Sequence, residues 1–244
     1  MSERRPRERA GENQEAYVLH TYAYRETSLL IDVFARAAGR MTVVARGARR
    51  PRSAMRGVLL SFQPLQLGWY GKGEVRTLTR AEWIGGQPLL QGEALLCGFY
   101  LNELLLRLLP REDPHEVLFE RYREALQGLA SGAATGPILR AFEKALLREI
   151  GYALVLERDG ENGCGVDPAK TYAYDPERGP REISAAAQGD LKLAGQTLLD
   201  IARDDFSSSV TQQQAKLLMR TLINHRLEYQ PLKSRRIFRE LMEL

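Results

Sequence analysis

The spacing of apolar residues changes near residues 86–88 of this 244-residue chain, and that change limits the fold more than any other feature. From residue 16 to residue 83, short apolar runs are separated by Gly, Ser and Pro, a pattern typical of half-buried strands. From residue 93 to residue 109, apolar residues recur at four-residue spacing, as on one face of a helix. Strands followed by helices indicate an α+β chain.

The first part of the chain contains five candidate strands separated by tight turns. The strands are AYVLH, SLLIDVFA, GRMTVVARG, LSFQPLQLGWYG and EVRTLTRAEW, with glycine-containing turns at 38–40 and 71–73. Five short strands in about 70 residues favour a small closed sheet, and the five-stranded oligonucleotide-binding (OB) barrel is the best known of these. We therefore predict an N-terminal OB-fold domain over residues 16–86.

The rest of the chain, residues 87–244, is predicted to be an all-α helical domain with a loop-rich insert. Helical spacing or helix-starting residues mark the segments 93–109, 113–130, 135–150, 186–202, 209–229 and 234–243. Residues 152–185 are instead rich in Gly, Asp, Pro and Lys, with only weak strand signals around 171–174. Residues 1–15 are highly charged and lack an apolar run, which predicts a disordered tail and no secretory signal.

Basic residues are concentrated within the predicted barrel. Residues 33–73 hold eight Lys or Arg and no Asp or Glu, although the whole chain has 35 Lys+Arg against 31 Asp+Glu. A stretch with charge of one sign creates a field that concentrates polyanions, and nucleic acid is the expected polyanion. The charge count alone leaves open the alternative of a solvated face that has no charged partner.

The predicted DNA contacts follow from this pattern. Arginine can hold phosphate oxygens with two hydrogen bonds and can stack on bases. Aromatic rings in the same strands can also stack on bases, although most rings of a small barrel belong to its core. We predict Tyr70 as a stacking residue, because it precedes the turn that carries Lys72. The predicted basic contacts in the barrel are Arg40, Arg46, Arg49, Arg50, Arg52, Arg56, Lys72 and Arg76.

A second basic group lies near the C-terminus and consists of Lys233, Arg235 and Arg236. This group either extends the DNA-binding surface or consists of exposed charges on a short helix without a DNA contact, and the sequence leaves both open. Contacts of Lys and Arg with phosphate supply affinity rather than sequence readout. Binding through such contacts should weaken steeply as the salt concentration rises.

Sequence signatures of enzymes are missing from the chain. Residues 68–73 contain three glycines and a lysine, but a phosphate-binding loop needs different spacing and a helix after it, so a hairpin turn explains them better. The three histidines are far apart, and two cysteines are too few for a disulfide framework or a four-cysteine zinc site. The apolar stretch 94–109 is too short to cross a bilayer. We predict a non-enzymatic cytoplasmic protein with no cofactor, no metal and no membrane contact.

Several blocks of the sequence, taken in order, resemble a known family. They are ETSLLIDVFARAAGRMTVVARGARRPRS, GKGEVRTLTRAE, FYLNELLLRLLP, LRAFEKALLREIGY and PLKSRRIF. Together they resemble the RecO family of bacterial recombination mediators along nearly the full length of the chain. The helical blocks make the resemblance specific, since a basic barrel alone would not.

This resemblance implies a role in recombinational DNA repair. RecO proteins bind single- and double-stranded DNA and anneal complementary strands. With RecR they load the recombinase RecA onto DNA coated by single-strand-binding protein, without hydrolysing a nucleotide. We expect the same role here, in the cytoplasm at the nucleoid. Two other functions stay open: an adaptor whose arginines bind an acidic protein tail, and an RNA-binding barrel, for which the helical half gives no support.

The resemblance also implies that the helical domain binds the acidic, Phe-ending tail of single-strand-binding protein. Arg140 is expected to pair with the tail carboxylate. The other residues expected at this site are Tyr122, Leu126, Leu129 and Leu139. Packing in the core of the helical domain explains those leucines equally well.

Some RecO proteins hold a four-cysteine zinc module within the helical domain. In this chain the corresponding residues, 159–184, contain only one cysteine, Cys164. Because a structural zinc site takes four ligands, usually cysteine or histidine, we expect this chain to bind no zinc.

Overall fold

The computed structural model describes residues 13–184 and 191–242. These residues form two compact units. Unit 1 takes the described residues up to Gly132 and from Lys233 onward, and unit 2 takes Ala133–Leu232.

Eight strands lie within the described residues. The first five form a closed barrel in unit 1, and the last three form a small sheet in unit 2. The strands are β1 (Gln14–Tyr24), β2 (Ser28–Ala35), β3 (Gly39–Ala45), β4 (Leu65–Tyr70), β5 (Val75–Trp83), β6 (Thr171–Asp175), β7 (Gly179–Ile183) and β8 (Lys192–Ala194).

Six α-helices lie within the same residues, and a 3₁₀ helix spans Ala54–Gly57. The α-helices are α1 (Gly92–Leu108), α2 (Glu116–Ala130), α3 (Thr135–Glu149), α4 (Gly195–Ala202), α5 (Ser209–Arg226) and α6 (Lys233–Met242). Helices α1, α2 and α6 belong to unit 1, and α3, α4 and α5 belong to unit 2. In the described part of the chain, no helix has the length and apolarity needed to cross a membrane.

The barrel has the strand order β1-β2-β3-β5-β4, and β4 closes it by pairing with β1. Neighbouring strands are antiparallel except β3 and β5, which are parallel. A bulge between Val18 and His20 interrupts the pairing of β1 with β2. This is an OB-type barrel. The predicted fold class, a five-stranded barrel followed by helices, is confirmed.

Side chains alternate between the barrel core and its outer surface. Ile31 of β2 and Val43 of β3 are 0% exposed and lie in the core. Because successive side chains of a strand point to opposite faces, their neighbours Leu30, Thr42 and Val44 point outward. The outer surface of β2 and β3 is therefore built from residues that the core does not use.

Helices α1 and α2 pack against the barrel within unit 1 through a buried polar link and aromatic rings. The Asn102 side-chain amide donates to the Leu19 carbonyl at 2.9 Å, and the Tyr122 hydroxyl donates to the Asn102 amide oxygen. The Tyr122 ring meets the Tyr17 ring edge to face, with 5.1 Å between centroids. Burial raises the pKa of Tyr122, which keeps its hydroxyl protonated as the donor.

Unit 2 combines three helices with a small sheet of order β7-β6-β8, antiparallel throughout. Helix α5 packs against both α3 and α4. The predicted loop-rich insert, residues 152–185, therefore contains two strands of this sheet as well as loops, and the weak strand signal at 171–174 falls on β6. Asp159 organises the loop before this sheet, since its carboxylate accepts the backbone N–H groups of Glu161 (2.8 Å), Asn162 (3.1 Å) and Glu182 (2.8 Å).

The helix predicted at 186–202 was placed too early. Residues Lys192–Ala194 pair with β6, so α4 begins only at Gly195, and residues 185–190 lie outside the described part of the chain. Gly195 fits closely at this junction, because a Cβ atom there would lie 1.9 Å from the Asp167 carbonyl oxygen. Pairing with a distant strand overrides the local helical signal.

The predicted boundary between residues 86 and 87 marks the change from strand to helix, but the compact units divide elsewhere. Strand β5 ends at Trp83 and α1 begins at Gly92, yet α1, α2 and α6 belong to the same unit as the barrel. Periodicity reports secondary structure and does not report which elements pack together. Of the predicted tail 1–15, residues 1–12 lie outside the described part, and Gln14 and Glu15 belong to β1.

Candidate nucleic-acid interface

A basic segment, residues 46–56, follows the end of β3 and includes the first three residues of the 3₁₀ helix. Gly47 has φ +70°, and the N–H of Arg50 donates to its carbonyl at 3.1 Å, which turns the chain tightly. Within the described residues, four exposed side chains of this segment have no ion pair, side-chain hydrogen bond or ring contact. They are Arg46, Arg50, Arg52 and Arg56.

Arg49 is the one arginine of the basic segment whose side chain is engaged by the fold. Its guanidinium donates to the carbonyls of Arg25 and Glu26, at 3.3 Å each, and its N–H donates to the Thr27 carbonyl at 2.9 Å. These bonds fix the basic segment beside the turn between β1 and β2. They also place Arg25 there, with its guanidinium 5.2 Å from the centroid of the Tyr24 ring.

The predicted contacts do not form one cluster. Thr42 pairs with Val75 in the parallel β3 and β5 pair, so the turn of residues 71–74, with Lys72, lies near the start of β3. The basic segment follows the end of β3, which is about 20 Å away for a seven-residue strand. Tyr70, the predicted stacking residue, is half-buried at the end of β4 near Lys72.

Arg40 and Arg76 are engaged by the chain just after α1, within unit 1. Arg40 donates to the Leu109 carbonyl at 2.9 Å, and Arg76 forms an ion pair with Glu112 at 3.2 Å. Burial, and then the neighbouring charge of Arg111, lower the pKa of Arg40. These two predicted DNA contacts therefore also stabilise the fold, because they bind the segment that connects α1 with α2.

Arg111 is a further basic residue near the start of β3, and the sequence pattern does not predict it as a DNA contact. Its guanidinium donates to the Thr42 hydroxyl at 2.8 Å and lies 3.9 Å from the Asp32 carboxylate, with a side chain 51% exposed. Thr42 in turn donates to Asp32 at 2.6 Å. Arg25 and Arg111 both lie outside the basic window of residues 33–73, so no local pattern of charges marked either one.

The predicted C-terminal group lies on α6, which packs on α1. The Glu103 carboxylate of α1 accepts the N–H groups of Lys233 and Ser234, at 2.8 Å each, and the Ser234 hydroxyl at 2.6 Å. Arg235 donates to the Tyr100 hydroxyl at 3.0 Å, whereas Arg236 is 72% exposed and pairs with Glu240 at 3.5 Å. Glu103 thus satisfies the first N–H groups of α6 and fixes where its basic residues stand.

The residues expected to bind an acidic tail are largely used by the fold. On α2 of unit 1, Tyr122 and Leu126 are 0% exposed and Leu129 is 2% exposed, which favours core packing. On α3 of unit 2, Leu139 is half-buried. Arg140 is 8% exposed, and its guanidinium makes two contacts of 2.7 Å with the Glu143 carboxylate.

Metal-binding and redox groups are sparse in the part of the chain that the structure describes. No three His, Cys, Asp or Glu side chains among those residues are placed to hold a metal ion. Cys97 is buried and Cys164 is exposed, and neither forms a disulfide.

Two family models together match most of this chain. A family model described as the N-terminal part of recombination protein O matches residues 11–87, and one described as its C-terminal part matches residues 89–236. The chain is 54% identical to the DNA repair protein RecO of Aromatoleum aromaticum over 233 residues and 56% identical to that of an Azoarcus species over 236 residues. Each match covers 96% of this chain and 97% of the relative.

Proposed function

The chain belongs to the recombination protein O family of DNA repair proteins, and we propose that it is a non-enzymatic mediator that binds DNA and anneals complementary strands. The basic segment 46–56 is its proposed contact with the sugar-phosphate backbone. The observation that carries this proposal is the set of four exposed arginines there, which have no partners among the described residues.

Exposed arginines without carboxylate partners suit a site for a polyanion. A guanidinium already bound to a carboxylate must give up that bond before it can bind phosphate, and these four need not. Arg49 and Arg25 bring further positive charge to the same end of β3. The proposed site therefore extends over the basic segment and the turn between β1 and β2, which is one of the loops that OB barrels use for nucleic acid.

Strand annealing can follow from this charge without a chemical step. Two DNA strands repel each other through their phosphates, and this repulsion falls when bound cations replace the diffuse ions around each strand. A protein that neutralises both backbones and leaves base edges accessible lets complementary bases pair. No nucleotide needs to be hydrolysed, and no cofactor is required for such a step.

We assign the other predicted basic residues to supporting roles. Lys72 and Arg111 lie toward the start of β3, where they would bind the DNA backbone after it leaves the basic segment. Arg40 and Arg76 would hold the segment after α1 in place. Lys233 and Arg236 would extend the binding surface along α6, with Arg235 held against Tyr100.

Family membership also supports a place for this chain in the loading of a recombinase. We propose that it acts with RecR to load RecA onto DNA coated by single-strand-binding protein, in the cytoplasm at the nucleoid. Binding of the acidic tail through Arg140 is part of this proposal. It requires that Arg140 bind the tail carboxylate while it remains next to Glu143.

Replacing Arg140 tests the tail contact, but the variant needs a control for stability. Removing one partner of a buried ion pair costs about 3–5 kcal/mol, so Arg140→Ala weakens unit 2 whether or not Arg140 binds the tail. Arg140→Lys keeps the charge and loses the planar fork. Loss of tail-peptide binding in both variants, with unchanged DNA affinity and a melting temperature within the wild-type range for Arg140→Lys, would support the assignment. Tail binding that both variants retain would exclude Arg140.

A strand-annealing assay on DNA coated by single-strand-binding protein tests the proposed function. The wild-type protein should accelerate annealing, and a variant with the four exposed arginines of the basic segment changed to alanine should not. The matched control replaces four exposed basic residues of unit 2: Arg158, Arg203, Lys216 and Arg220. Annealing that the first variant retains would refute the placement. Tail binding without any DNA binding would instead indicate an adaptor, and a preference for RNA would indicate an RNA-binding barrel.

A further inference from the structure

A row of uncharged side chains crosses the outer face of the barrel. Tyr22 of β1 pairs with Leu30 of β2, Leu30 pairs with Val44 of β3, and Val44 pairs with Thr77 of β5. We call these four residues the cross-strand row. Because each strand contributes one outward residue, the row crosses three interstrand spacings and is about 14 Å long.

Two tyrosines stand at the β1 end of this row. Tyr22 and Tyr24 are 46% and 38% exposed, although burying a ring of this size removes a large apolar area from water. They are two residues apart on one strand, so both point to the outer face, with their Cα atoms about 7 Å apart. Exposed rings side by side on a sheet are the arrangement on which single-stranded nucleic acid stacks.

Neighbouring groups restrict the Tyr22 ring. The His20 ring meets it edge to face, with 4.4 Å between centroids. Burial raises the pKa of Tyr22, and the Asp32 charge together with a hydrogen bond to Asp32 adds to the shift. The ring is therefore held in place before any ligand binds, which lowers the entropy lost when a base stacks on it.

The tyrosines also adjoin the proposed backbone site. Tyr24 pairs with Ser28, and the next residue, Leu29, pairs with Ala45, which directly precedes Arg46. The Arg25 guanidinium lies by the Tyr24 ring. Stacking groups and phosphate-binding groups therefore meet at the same end of β3.

We propose that Tyr22 and Tyr24, with the cross-strand row beside them, form a stacking platform for unpaired bases. The proposal rests on the proposed function, since it concerns the same DNA site, and it adds a preference for single strands. Bases within a duplex stack on each other every 3.4 Å and do not offer their faces. The Cα separation of the two tyrosines is about twice that rise, which suits bases drawn apart along an extended strand.

The platform and the arginines should contribute in different ways. Stacking on an aromatic ring strengthens binding by about 5- to 150-fold per base and does not depend on salt. Contacts with phosphate depend strongly on salt and are shared by single and double strands. Loss of the rings should therefore change the ratio of single-strand to duplex affinity and leave the salt dependence unchanged.

The test measures the affinities of the full chain for three probes by fluorescence anisotropy. The probes are a single-stranded oligonucleotide, the corresponding duplex, and an abasic single strand that has the backbone without bases. In the Tyr22→Leu, Tyr24→Leu double variant, affinity for the single strand should fall by about 10-fold or more, with little change for the other two probes. A variant with phenylalanine at both positions keeps the rings and should retain binding.

Tyr229→Leu in unit 2 is the matched control, because Tyr229 is 74% exposed and its loss should change none of the three affinities. If the double variant unfolds, the single Tyr24→Leu variant should still lower single-strand affinity selectively. Unchanged single-strand affinity, or an equal fall for all three probes, would overturn the platform while leaving backbone binding intact. A wild-type protein that binds none of the probes at low salt would instead overturn the proposed function.

Discussion

Replacing the four exposed arginines of the basic segment with alanine should flatten the salt dependence of DNA binding. Each cation that neutralises one phosphate of a single strand contributes about 0.7 to the slope of log K against log salt. Four contacts therefore contribute about 3 to the slope. At 0.1 M salt this corresponds to a loss of affinity of up to about 600-fold, or about 4 kcal/mol, and the loss should disappear near 1 M.

The slope is measured by fluorescence anisotropy with a labelled single strand at several salt concentrations. The control variant replaces Arg158, Arg203, Lys216 and Arg220, which lowers the net charge equally and removes exposed cations from unit 2 alone. Its slope should match that of the wild-type protein. Equal flattening in both variants would show that net charge, rather than the basic segment, governs binding, and an unchanged slope in the first variant would refute the proposed contact.

Three further predictions concern α6, Asp159 and zinc. The Glu103→Ala variant loses three hydrogen bonds to the start of α6, so the backbone amides of residues 233–242 should exchange hydrogen faster than in the wild-type protein. The Glu103→Gln variant should be intermediate, and exchange identical to the wild type in both variants would show that Glu103 does not hold α6. Burial alone would raise the pKa of Asp159, but the backbone N–H groups that donate to its carboxylate lower the pKa below its ordinary value. Asp159 therefore stabilises the folded state above the pKa of about 3.9 that it has in the unfolded chain, and this stabilisation is lost as the pH falls below that value. The Asp159→Asn variant should therefore melt at a lower temperature at pH 7, the gap should narrow below about pH 4, and a gap independent of pH would contradict this. Elemental analysis of the purified protein should find no stoichiometric zinc, and about one zinc per chain would contradict that expectation.

The barrel was predictable because its signals are local. Alternating apolar residues and glycine turns lie within each strand, and a core of inward residues such as Ile31 and Val43 follows from them. The helices were predictable for the same reason, apart from the start of α4. Strand β8 depends on pairing with β6, some twenty residues earlier, and no spacing rule within residues 186–202 reports that contact.

The candidate site was only partly predictable, because register decides where each cation stands. The basic window appears continuous in sequence, yet the structure places Lys72 near the start of β3 and the basic segment after its end. Arg40 and Arg76 look the same in sequence as the exposed arginines, but the chain after α1 engages them.

Aromatic residues show the same limit. The position of Tyr70 beside Lys72 predicts a stacking role, and the structure shows a half-buried side chain at the end of β4. Tyr22 and Tyr24 are the exposed rings beside the basic segment, and they precede the basic window in sequence. The bulge between Val18 and His20 sets which residues of β1 face outward, and a sequence pattern of period two cannot locate a bulge.

Arginine footprinting of the unmodified protein tests most directly where DNA binds. A reagent specific for guanidinium groups is applied with and without single-stranded DNA, and the modified residues are identified by mass spectrometry. Bound DNA should protect Arg46, Arg50, Arg52 and Arg56, while Arg158, Arg203 and Arg220 stay reactive. Equal modification of the basic segment with and without bound DNA would contradict this prediction.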